Sequence, residues 1–220
     1  AILSINQKDY PTAIESTFNT TKWMVAAGFP LDDVLTSFFT AGTYLYLQAE
    51  EIEMQNWLVS EREKNGKEPI KLEDFTSDDF KNRYMEELAT PFLPTPPPGS
   101  VATESLTNAG TIFNSIMTII NSLPSGVRRK GTIDELYALA MYSLGVVQLH
   151  MGNLDKAQEL LREARLRAKG CSYELLADQA DNELATIEDL RKFKESGNKE
   201  EYLNGLYNRM HSHIGIMDYR

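Results

Sequence analysis

Small residues stand at fixed positions inside the stretch LGVVQLHMGNLDKAQELLREA, Leu144 to Ala164, and they set the tightest limit on how this chain folds. Apolar residues recur every three or four positions on both sides of Gly152-Asn153, the period of two amphipathic helices joined at a short turn. Gly145 in the first helix, and Ala157 and Ala164 in the second, lack bulk. The pair can therefore approach closely while Leu144, Leu160 and Leu161 fill the space beside them. Larger side chains there would force the helices apart.

The rest of the chain carries the same period. Long alternating runs of β-branched residues bounded by turns are absent, so the expected class is all-α. Helices are expected from Tyr10 to about Ala27, from Asp32 to about Lys64, over Thr76 to Ala89, and from Glu104 to Leu123. Four more follow, over Ile133 to Met151, Leu154 to Lys169, Ser172 to about Glu195 and Lys199 to about His213. Pro11 suits a first turn, Gly28 with Pro30 ends the first helix, and Asp32 and Asp33 suit the positive end of the second. The segment TPFLPTPPPGS, Thr90 to Ser100, has five prolines; it cannot continue a helix and favours an extended connector. The expected organisation is an N-terminal helical region over 1–89, the proline-rich linker over 90–100, and a second helical region over 101–220.

With Ala138 as its first position, the stretch resembles a tetratricopeptide repeat, a 34-residue helix–turn–helix unit. Leu144-Gly145 matches the family's L-G pair, Gly152-Asn153 its turn, Ala157 with Leu161 its A-x3-F, and Ala164 its second small position. Met141 stands where the family has Trp, Gln148 where it has Tyr, and Lys169-Gly170 where it has the closing Pro. A second fragment, KDYPTAIESTF over Lys8 to Phe18, resembles the second helix of such a unit, with Ala13 as its small contact residue. Thr40 to Glu50 offers Ala41-Gly42 and Leu45 as a degenerate first helix, without the expected spacing from Ala13. One repeat cannot bury both faces, so flanking helices must complete the stack. Ser172 to Glu195 suits a cap, with Leu176, Ala180 and Leu184 inward and Glu174, Asp178, Asp181 and Glu188 outward.

The resemblance implies a repeat stack that binds another polypeptide through its first-helix face, as a scaffold or assembly subunit of a larger complex and not as an enzyme. Here that face would carry Leu139, Tyr142, Val146 and Leu149. Family members that clamp the carboxylate tail of chaperones place Lys, Arg and Asn on this surface, whereas these residues are apolar and better suited to an apolar or helical segment. They equally suit packing on the helix from Glu104 to Leu123. A different class also fits: a ligand-binding protein or enzyme whose site lies among the aromatic residues between Phe38 and Trp57.

Other constellations point to bland roles. With 32 acidic and 22 basic residues, a formal charge of −10 repels phosphate backbones and makes nucleic acid and anionic membrane poor partners. No apolar run reaches the ~20 residues that span a bilayer, so a soluble chain is expected. Cys171 is the single cysteine, which excludes an intrachain disulfide or multi-cysteine metal site and fits a reducing compartment, cytoplasm or organelle interior. His211 and His213, two residues apart, would point to different sides of a helix. Pro91-x-x-Pro94 and Pro94-x-x-Pro97 lack a nearby basic anchor. Neither a cofactor, a metal nor a catalytic residue is expected. The chain opens on Ala1, which a removed presequence or an incomplete N-terminus would explain.

Overall fold

The computed structural model of the chain describes residues 9–70, 96–128 and 131–198. The helices expected over Thr76 to Ala89 and from Lys199 to about His213 lie outside the described residues, as do residues 90–95, His211 and His213. The described residues form α1 (Tyr10–Ala26), α2 (Leu31–Lys64), α3 (Val101–Ser122), the single turn α4 (Ser125–Arg128), α5 (Gly131–His150), α6 (Leu154–Gly170) and α7 (Glu174–Ser196). Among them there is no strand, and the chain is all-α.

Local chemistry places the ends. The Asp9 carboxylate accepts from Thr12 N–H at 3.3 Å and caps α1, where Pro11 needs no donor of its own. Asp32 and Asp33 stand in the first turn of α2, and Arg62 and Lys64 in its last, matching both ends of the helix dipole. Ser100 Oγ accepts from Thr103 N–H at 3.2 Å and starts α3. The end of the proline segment consequently turns instead of running extended: Gly99 has φ +77°, Ser100 N–H donates to Pro97 O at 3.1 Å, and Pro96 is buried.

Each long helix packs on the next: α1 on α2, α2 on α3, α3 on α5, α5 on α6 and α6 on α7. In addition α2 touches α5, and α5 touches α7. This arrangement sets α2, α5 and α7 side by side on one face, with α3 wedged behind the first two and α6 behind the second two. The core runs through the array in Leu35, Leu106, Phe113, Ile116, Ile120, Met141 and Val147, each no more than 2% exposed.

Two close seams recur at glycines. A Cβ on Gly145 would lie 2.8 Å from Leu161 Cγ and 3.4 Å from Leu160 Cβ, so α5 and α6 meet across Gly145 with Ala157 and Ala164 fully buried beside it. A Cβ on Gly42 would lie 2.7 Å from the Phe113 ring, so α2 meets α3 in the same way, beside fully buried Ala109. Ala109 and Phe113 keep the spacing of Ala157 and Leu161. Between α5 and α6, Gly152 turns the chain with φ +78°, a conformation that costs a side chain but not glycine. On α7, Leu176 and Ala180 are fully buried, Leu184 is half-buried, and Glu174, Asp178 and Glu188 are exposed. Asp181, expected outward, is half-buried and pairs with Arg165 of α6 at 2.6 Å.

These seams predict opposite effects for one chemical change. Gly145→Ala should lose about 1–2 kcal/mol, because overpacking against Leu161 exceeds the ~1 kcal/mol gained from helix propensity. Gly170→Ala, where an added Cβ meets nothing within 4 Å, should be neutral or stabilise by up to about 1 kcal/mol. Urea denaturation followed by circular dichroism measures both, and equal effects would contradict the seam.

Candidate functional site: a groove across three helices

A pocket of about 330 Å³ opens where α2, α5 and α7 meet. From α2 it takes Phe39, Thr43, Tyr46 and Leu47; from α5 it takes Leu139, Tyr142, Ser143 and Val146. Both sets follow the three-and-four spacing that puts residues on one side of a helix. Phe113 of α3 contributes from behind, and Glu183 of α7 is the charged residue in the wall. Its size lies at the small end of ligand pockets, enough for one or two side chains.

Of the residues expected on the binding face, Leu139, Tyr142 and Val146 line this pocket. Leu149 stands apart, 4% exposed and packed with Ala157, Leu161 and Ile187. The structural positions Gly145, Ala157, Leu161 and Ala164 lie buried in the α5–α6 seam, and Leu144 is half-buried with its Cδ1 near Gly110 of α3. Phe39 and Tyr46 belong to the aromatic stretch singled out for the competing ligand-site reading. Both readings therefore converge on the same pocket.

Sequence reasoning missed the polar group beside it. The Tyr46 hydroxyl donates to Glu50 Oε1, one helical turn on, and lies 3.0 Å from His150 Nε2 at the end of α5. Because the single phenolic proton goes to Glu50, His150 donates from Nε2 to the Tyr46 oxygen, which sets the tautomer. The two rings meet edge to face at 5.3 Å. Burial pushes the His150 imidazole down to about 4, so it is neutral at pH 7. Burial also raises the Glu50 carboxyl, partly opposed by the hydrogen bond from Tyr46. The Tyr142 phenol is raised first by burial, then by the charges of Glu183 and Glu50. Tyr46–Glu50 spacing was the available signal for this group. Nothing local connects either residue to His150, 104 positions away.

Reactive chemistry finds no support elsewhere. The Cys171 thiol bonds to Ala168 O at 3.4 Å, and burial followed by the Asp134 charge raises its pKa, away from the thiolate a nucleophile needs. Among the described residues no three His, Cys, Asp or Glu side chains gather as a metal site, and no helix is long and apolar enough to cross a membrane.

The fold and the groove define a class: a layered array of helix pairs with an apolar hollow on one face. Over 199 residues, 88% of its length, the chain is 24% identical to the Saccharomyces cerevisiae protein named mitochondrial inner membrane i-AAA protease supercomplex subunit MGR3. Over 190 residues, 84% of its length, it is 23% identical to Protein MRG3-like of the same yeast. The chain spans 36% of the length of each of these curated relatives. No family model and no solved structure matches it.

The buried histidine gives a pH prediction. An imidazole with a folded pKa near 4 and an unfolded one near 6.5 contributes full stability above about pH 6.5, lost progressively as pH falls toward 4. Glu50 has the opposite sign, since a raised carboxyl takes up its proton more readily in the folded state. His150→Gln keeps a donor for Tyr46 and removes the titration. Relative to wild type, its stability should therefore improve by about 1–3 kcal/mol between pH 7 and pH 4.5. Denaturation curves at the two pH values check this, and parallel losses in both proteins would refute it.

Proposed function

We propose that the chain is a tetratricopeptide-like interaction module that holds a segment of another polypeptide across α2, α5 and α7, as a non-catalytic subunit of a larger assembly. The observation that carries this reading is the pocket itself: α2 and α5, with Phe113 of α3 behind them, turn apolar and aromatic side chains into one hollow edged by α7, where a partner's side chain can leave water. One well-inserted side chain of Leu or Phe size contributes about 1.5–3 kcal/mol before the costs of association. The recurrence of the glycine seam in α2–α3 and α5–α6 supports the repeat reading. The name of the MGR3 relative, a protease supercomplex subunit of the mitochondrial inner membrane, supports membership in a multi-subunit complex and an organellar setting. A small molecule in the same pocket is the competing occupant, favoured by its aromatic lining.

Site-specific photocrosslinking in the native source tests the reading. A benzophenone side chain at Ser143, in the pocket wall, should yield one dominant polypeptide adduct, and native mass should lie well above the 24.9 kDa of the chain. The same group at Thr111, exposed on α3, should not. Absence of an adduct at Ser143, or equal adducts at both positions, would refute groove binding.

A further inference from the structure

We propose that the corner between α1 and α2 is a lipid-docking tip, which enters the interface of an electrically neutral bilayer and holds one edge of the helix array against the membrane surface. Residues 23–31, WMVAAGFPL, contain no charged side chain, and every one of them except Met24 is exposed. Trp23 is 76% and Phe29 53% exposed, with Val25 and Leu31 open to solvent beside them. Scattered apolar residues on a surface are ordinary, but a contiguous patch of this kind marks a contact.

Shape, backbone chemistry and composition all point to lipid. Gly28 turns the chain with φ +71°, and a Cβ there would meet nothing within 4 Å, so the tip projects and suits a soft surface. Its backbone donors are already used: the N–H groups of Ala27, Gly28 and Phe29 donate to the carbonyls of Trp23, Val25 and Met24 at 2.9, 3.2 and 3.0 Å, and Pro30 has none. Donors bonded within the tip can leave water without losing a partner. Tryptophan and phenylalanine among aliphatic residues are the anchors of a membrane interface. The tip also has company. Thr21–Ser37, Asn121–Tyr137, Asp134–Arg167 and Arg165–Asp181 each join the end of one helix to the start of another, while Gly42–Phe113 and Gln48–Ser105 run α3 back along α2. The corners therefore share one edge, where Ile119, Leu166 and Leu175 are exposed as well; Val59 and Val101 stand toward the other. Asp32 and Asp33 follow the tip in a chain of formal charge −10, so an anionic surface would repel it and apolar insertion must supply the affinity. A second copy would bring the same charge to the contact.

Co-sedimentation of the full chain with phosphatidylcholine vesicles tests this, with its oligomeric state followed by analytical ultracentrifugation. The chain should pellet with the vesicles to the same extent at low salt and in about 1 M salt, and added anionic lipid should not strengthen binding. Trp23→Ser combined with Phe29→Ser should lower the partition coefficient by about tenfold or more, while Val59→Ser, toward the other edge, should leave it unchanged. Acyl chains carrying bromine should quench the tryptophan emission of the bound chain. Trp23→Phe should keep the binding and abolish the quenching, a result that decides the matter if circular dichroism shows the double variant misfolded. Failure to pellet, pelleting undiminished in a folded double variant, or quenching that survives Trp23→Phe would overturn the proposal. So would binding that needs anionic lipid and disappears in salt. A dimer that the double variant dissociates, with no vesicle binding, would assign the tip to a second copy and overturn it too.

Discussion

Where Gly145 faces Leu161, and again where Gly42 faces Phe113, one helix of a pair presents bare backbone to a large side chain of the other. Nearly everything else depends on these two contacts. A helix axis can come this near only if no Cβ intervenes, and close approach lets Ala109, Ala157 and Ala164 be buried completely without leaving voids around them. The seams fix how far α2 stands from α3 and α5 from α6. They thereby fix the offset between α2 and α5 on the other face, where the pocket opens.

Polar contacts set the register of helices whose apolar faces alone could slide. Asn121 of α3 donates to the Tyr137 hydroxyl of α5 at 3.0 Å, and the Arg167 guanidinium of α6 lies 4.1 Å from the Tyr137 ring while its Nε pairs with Asp134. One tyrosine thus ties three helices. The Arg167 and Asp134 side chains are 35% and 25% exposed, so their ion pair adds little net stability and acts mainly by direction. Ser105 with Gln48, and Thr21 with Ser37, do the same between α2 and its neighbours. The ion pairs also draw Arg165 and Arg167 of α6 onto the flanks of α7 and α5.

How much of this was legible follows from distance along the chain. The α5–α6 pair could be read directly because Gly145 and Ala157 are 12 residues apart, within one helix–turn–helix unit whose period shows in a short window. The α2–α3 pair uses the same contact, but Gly42 and Ala109 are 67 residues apart, and the intervening segment erases the repeat period. Ala41-Gly42 was visible as a fragment, whereas its partner Ala109-x3-Phe113 was not. On α5, periodicity placed Leu139, Tyr142 and Val146 on one face but could not show where that face ends. Leu149 continues the spacing, yet Ile187 of α7 closes over that end of the helix and makes Leu149 core. Glu183 and His150 gave no local signal, since their roles arise from contacts between helices distant in sequence.

The pocket and the core share residues, and this bears on how the groove can work. Phe113 both lines the hollow and fills the space left by Gly42, and Val146 both lines it and packs with Leu161 and Ile187. Such walls cannot rearrange without disturbing a seam, so the hollow is preformed, and under the proposed function little ordering cost would fall on this chain. Tyr46, Glu50 and His150 reinforce the same junction, joining α2 to α5 through a neutral imidazole instead of a charge that would need water. A rigid apolar hollow supplies attraction for many side chains but discriminates poorly among them. Any discrimination then has to come from the polar groups at its edge, Thr43, Ser143 and Glu183, which the same helices hold in place.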